Sequence, residues 1–224
     1  MRPEYERLAR DFPRLTAMFG VDVDSVTRRD IVTLAASIDW VDSEIDAMPA
    51  RGDRARFSER VLDAVSSDAT IHPTLSALRE AIVRRGIVEP FATVVGELLE
   101  LGEEIRASRD ARTFIVHVTR EGVLTTKLAL LVSGLDAHDA FAHFFLQLGE
   151  PANLVDKLLD VRDDYARGEI CIRPTWLLRA RLAGEIVRRV PRLARAAPRP
   201  AWLVAWGTTY LRAEREINHG AATK

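Results

Sequence analysis

The chain has very little cysteine and very little lysine. Its one cysteine, Cys171, excludes an internal disulfide framework and a cysteine-rich zinc site. Such sparing use predicts a reduced, cytoplasmic setting. Only Lys127, Lys157 and Lys224 are lysines among 32 basic residues, so arginine carries nearly all the positive charge. Neither sign of charge is in surplus. The formal net charge of −1 argues against a general nucleic-acid binder, which would show a basic excess. No apolar run is long enough to span a bilayer. The opening Met-Arg-Pro-Glu-Tyr-Glu-Arg lacks the apolar core of a secretory leader. A Gly-rich phosphate loop, a nucleophile elbow and a Cys/His arrangement are all missing. His138 and His143 are five apart, a poor spacing for sharing a metal on one helix. Neither they nor His117 closes a Glu-x-x-His, so a zinc or di-iron centre is not expected.

What the chain does have is helical pattern. Pro3 opens a helix that Gly20 stops, and Asp24 or Ser25 caps a second that runs to about Ala47. After a turn at 50–54 the spacing predicts helices over 55–67, from Pro73 to Gly86, and over 88–107. A long apolar segment over 110–134 is interrupted at Arg120-Glu121-Gly122, where a break is expected because Gly costs about 1 kcal/mol against Ala inside a helix. A short helix over 136–148 ends at a Gly149-Glu-Pro151 turn, another runs from 152 to Gly168, and the last two cover 175–190 and 199–217 across a Pro- and Ala-rich turn. The only β-favouring run, 113–118, sits in helical context, and there is no solenoid repeat or linker. One all-helical domain over 1–224 is the expectation, a helical bundle.

Two acidic stripes stand out. Asn153, Asp156, Asp160 and Asp164 share one helical face, with Leu154, Leu158 and Val161 on one flank and Val155 and Leu159 on the other. Carboxylates stacked a turn apart repel one another, so divalent cations or neighbouring arginines must compensate them. Asp39, Asp42 and Asp46 share a face of the second helix, behind the apolar Ile31, Leu34, Ala35 and Ile38. If the two helices face each other across a bundle, their oxygens suit Mg²⁺, held by one or two carboxylates, water and substrate phosphate.

The motif Asp160-Val-Arg-Asp-Asp164-Tyr-Ala-Arg167-Gly168 resembles the second aspartate-rich motif of squalene and phytoene synthases, an Asp-x-x-x-Asp ahead of an Arg-Gly pair. Asp39-Trp-Val-Asp42-Ser-Glu-Ile-Asp46 is similar to their first motif, and the order and rough separation agree. The resemblance covers about thirty residues. It implies the class I isoprenoid synthase fold, a bundle around a deep central cavity, with Mg²⁺ and a prenyl diphosphate bound by both motifs at its mouth. Terpene cyclases place Asn, Ser and Glu at four-residue steps; Asn153 starts that pattern, and Lys157 and Val161 break it.

On this reading Asp39, Asp42, Asp46, Asp156, Asp160 and Asp164 hold Mg²⁺, while Arg120 and Lys127 act on the diphosphate in catalysis. Arg167, Lys157 and Asn153 bind substrate, and Trp40 and Phe114, with Phe91, Phe141, Phe144 and Phe145, furnish a dry aromatic wall for a carbocation. The short chain favours a single-substrate lyase of terpene-synthase type over head-to-head coupling, and a homodimer is compatible with either. The competing reading is a helical interaction protein whose acidic stripes pair with arginine.

Overall fold

The computed structural model describes residues 3–135 and 139–201. Among them are eight helices and no strand: α1 (Pro3–Met18), α2 (Ser25–Asp46), α3 (Arg51–Ser66), α4 (Pro73–Arg85), α5 (Val88–Ala107), α6 (Ala111–Ser133), α7 (Asp139–Arg167) and α8 (Trp176–Ala196). The all-helical class expected from the pattern is what these residues adopt. His138 and most of the helix expected over 199–217 lie outside the described residues.

Side-chain caps set several helix starts. The Asp24 carboxylate accepts the Thr27 N–H at 2.7 Å to open α2, and Asp110 accepts from Arg112 and Thr113 to open α6. Each bond satisfies a first-turn donor that has no partner inside its helix. At the end of α7, Gly168 adopts φ +77°. That conformation lets the Glu169 N–H return to the Asp164 carbonyl at 2.9 Å, closing the helix.

The core is organised on α6, which packs against α2, α4, α5, α7 and α8. Phe114, Val118, Leu128, Ala129 and Val132 are fully or almost fully buried along it. A second knot of aromatic rings joins helices far apart in the chain: Phe12 of α1 lies edge-on to Phe141 and Phe145 of α7, with centroids 5.8 and 5.4 Å apart. Between α2 and α4 the buried Asp30 takes Arg84 at 2.7 Å and Arg85 at 2.8 Å.

Three expected interruptions are corrected. First, α6 passes unbroken through Arg120-Glu121-Gly122. Gly122 is where α7 comes closest, since a Cβ there would stand 2.1 Å from the Gly149 carbonyl oxygen, and a Cβ on Gly149 would stand 2.3 Å from the Gly122 carbonyl oxygen. Both glycines serve a backbone-to-backbone crossing, not a break. Second, α7 continues through Pro151; the missing N–H is outweighed by packing along α6, the most extensive helix pairing in the molecule. Third, α8 continues through Pro191. Pro191 is exposed, so water can satisfy the carbonyl one turn back. The turn expected over 50–54 is shorter too, because α3 begins at Arg51.

Candidate functional site

A cleft of about 790 Å³ opens between α2, α3, α4, α5, α6 and α7. Its wall changes character along each helix. On α2 the lining passes from Leu34 and Ile38 to Asp42 and Asp46; on α5 it passes from Phe91 and Val95 to Glu103 and Arg106; on α7 it passes from Gly149 and Ala152 to Asp156, Asp160 and Asp164. The C-terminal ends of the three helices are tied together. The Arg106 guanidinium reaches Asp46 at 2.6 Å and the Glu169 carbonyl just beyond α7. One end of the cleft is therefore ionic, and the other is lined by Val61, Leu75, Leu78 and Phe91.

Asp164 is the most enclosed of the acids that line the cleft, with about 3% of its surface exposed. It accepts from Lys157 at 3.0 Å and from Arg167 at 2.8 Å. Lys157 lies two turns earlier on the same face of α7. Burial works against its charge, but the negative charges of Asp164, Asp156 and Glu121 and the bond to Asp164 outweigh that and hold its pKa above the ordinary lysine value. Arg167 is held charged chiefly by its hydrogen bond to Glu169, against some desolvation, with Asp164 and Asp163 adding to it. The Tyr5 hydroxyl donates to Asp42. Asn153 spends its amide N–H groups on α6, donating to the Val118 carbonyl and to Glu121, each at 2.7 Å. Its amide helps hold the α6–α7 crossing beside Gly122.

The structure thus brings Asp42, Asp46, Asn153, Asp156, Lys157, Asp160, Asp164 and Arg167 to one cleft. Five residues expected there are elsewhere. Arg120 lies on the surface, paired with Glu97 at 3.0 Å, because α6 does not break and so does not turn it inward. Lys127 is exposed. Phe114 is fully buried in the core, and Trp40 stacks on His72 with centroids 4.3 Å apart; neither forms part of the cleft wall. Asp39, a turn before Asp42, is outside that wall as well. Of the remaining aromatics, Phe91 lines the cleft, while Phe141, Phe144 and Phe145 belong to the core.

Sequence reasoning missed Tyr5, Glu103, Arg106 and Glu121. Arg106 had only one local signal, its place a turn after Glu103 near the end of α5. Glu103 in turn is clamped by Arg54, whose second nitrogen stands 3.0 Å away. That hydrogen bond lowers the Glu103 pKa against the pull of burial, and the charges of Arg54, Arg106 and Arg51 lower it further.

Among the described residues, no three His, Cys, Asp or Glu side chains form a group that could by itself hold a metal ion. No protein-family model matches the chain, and neither a curated protein nor a solved structure matches it.

Proposed function

We propose that the protein is a class I isoprenoid synthase, which ionises a prenyl diphosphate with Mg²⁺ and converts the allylic cation inside the cleft. One observation carries this reading. Two helices more than a hundred residues apart in sequence bring Asp42 and Asp46, and Asp156, Asp160 and Asp164, to the ionic part of a cleft whose remaining wall is mainly apolar. Hard carboxylate oxygens are the donors Mg²⁺ takes, and it commonly uses only one or two of them, completing its shell with water and substrate phosphate. A cage of three acids is not required, so the donor set fits. When bound, Mg²⁺ neutralises the charge that builds on the departing diphosphate.

The remaining chemistry belongs to the chain's own groups. Lys157, Arg167 and Arg106 hold fixed positive charge at the ionic end, where a diphosphate would lie. Heterolysis of the allylic C–O bond leaves the electron pair on the diphosphate and the positive charge on the prenyl chain. Loss of a proton, either from the cation itself or from a water it has captured, restores neutrality. Leu34, Ile38, Val95 and Leu98 exclude water from the prenyl chain, and Phe91 brings an aromatic ring to it. At about 790 Å³ the cleft falls in the range of a single-ligand pocket, roughly 300–1,000 Å³. That favours cyclisation or hydration of one substrate over coupling of two long chains.

A second reading has its own observation. Asp164 is held by Lys157 and Arg167, and Asp46 by Arg106, as in a helical interaction protein whose acidic stripes are neutralised internally. Incubation with Mg²⁺ and prenyl diphosphates of several lengths separates the two. We expect one diphosphate released per product molecule, with a product no longer than its substrate. Asp160→Asn should abolish that turnover and leave the thermal midpoint unchanged. A product of doubled carbon count would assign the coupling reaction, and no release from any substrate would assign the interaction protein.

A further inference from the structure

The outer face of α8 is unlike the rest of the surface. Residues 173–199 contain eight arginines and one acid, Glu185, in a chain whose formal net charge is −1. Eight arginines against one acid leave this helix and its flanks with a local surplus of positive charge. The side of α8 that carries Leu178, Leu182 and Leu193 is buried. At helical spacing, Trp176, Ala180, Ala183, Val187, Val190 and Ala194 fall on a different stripe, turned away from that side. Along it Trp176 is 80% exposed and Val187 69% exposed, and Val190 is exposed too. A tryptophan and two valines on one outward stripe form an apolar line that no helix among the described residues covers.

Arg181, Arg188, Arg192 and Arg195 run beside this line on the next stripe round, and all four are exposed. Arg188 pairs with Glu185. Arg181, Arg192 and Arg195 have no carboxylate partner among the described residues; the Arg195 guanidinium instead reaches the Pro191 carbonyl. Arg189 is separate, turned toward α7 and bonded to Glu150 at 2.8 Å.

We propose that α8 is a membrane-surface helix that lies on an anionic bilayer. Trp176, Val187 and Val190 enter the headgroup boundary while Arg181, Arg192 and Arg195 contact lipid phosphates. Apolar side chains with an indole on one side, beside a row of arginines, match the two layers of that interface. Charge complementarity selects anionic lipid, because each basic residue near such a surface adds to the attraction. A nucleic acid would use the arginines but has no place for an apolar line of this length. No helix of the described residues is long and apolar enough to cross a membrane, so the mode is peripheral. The inference does not depend on the reaction assigned to the cleft.

Co-sedimentation of the full chain with vesicles tests it, using phosphatidylcholine alone and phosphatidylcholine mixed with phosphatidylglycerol. We expect pelleting with the mixed vesicles only, weakened severalfold by raised salt. Arg181→Glu with Arg192→Glu should abolish it, and Trp176→Ala should reduce it severalfold. Unchanged thermal midpoints would show that both variants fold, as expected for exposed positions. Equal pelleting with both vesicle types, or no loss in the Arg variant, would overturn the proposal. So would tight binding to duplex DNA or RNA without vesicle binding, or a dimer in solution that shields Trp176.

Discussion

Charge compensation at single residues decides how the cleft behaves. Lys157 would be an unfavourable residue to enclose on its own, yet Asp164, Asp156 and Glu121 keep it protonated. It therefore remains a cation throughout the neutral range, available to an anionic ligand or to its own acids. Glu103 shows the opposite sign. Its folded pKa lies below an unfolded value of about 4.3, so the stability it contributes is complete above that value and is lost as pH falls through the folded value. The Arg54–Glu103 clamp also ties α5 to the α2–α3 connection, because Arg54 donates to the Met48 and Pro49 carbonyls. Glu103→Gln should lower stability by roughly 1–2 kcal/mol at pH 7. Thermal melts across pH should show the gap to the parent protein narrowing on the acid side. A gap that stays constant down to low pH would mean that the carboxylate charge contributes nothing.

At the scale of helices, the close crossing of α6 and α7 is the feature that fixes the cleft. It sets the acids of α7 at their distance from α2. Gly149→Ala would place a methyl group against backbone that cannot rotate away. Overpacking of this kind costs about 1–3 kcal/mol, so a fall of several degrees in thermal midpoint is expected, with a matching loss at Gly122→Ala. Stability unchanged in both variants would mean that the helices separate without penalty. The same crossing shows where sequence reading was sufficient and where it was not. Caps and stops at Asp24, Pro73, Gly86 and Gly168 announce their helix ends locally, and α2, α4 and α5 are legible almost to the residue. Gly122, Pro151 and Pro191 carry the same local signals but lie inside helices. Their cost is a few kcal/mol at most, and long-range packing or water overrides it, which no window of sequence contains. Arg120 followed from the expected break, and with the helix intact it is left on the surface beside Glu97.

For the whole molecule, periodicity is enough to bring Asp42 and Asp46 of α2 and Asp156, Asp160 and Asp164 of α7 to one cleft, while Asp39, expected on the same stripe, falls outside its wall. It is not enough to select the aromatics. Phe114 and Phe91 look alike in sequence, and only the packing of α6 and α5 separates core from cleft wall. Nor could it supply Arg106, which meets Asp46 from a helix sixty residues away. The central claim is that this ionic end binds a diphosphate together with Mg²⁺. The most direct measurement is the thermal midpoint with Mg²⁺ and pyrophosphate, together and separately. At 100 times the dissociation constant a ligand adds about 2.7 kcal/mol, which for a chain of this size is a rise of about 5–10 °C. The cleft reading predicts that rise with both present, a much smaller one with either alone, and its loss in Asp160→Asn. An unchanged midpoint at saturating Mg²⁺ and pyrophosphate would contradict it and leave Asp164 and Asp46 as structural partners of Lys157, Arg167 and Arg106.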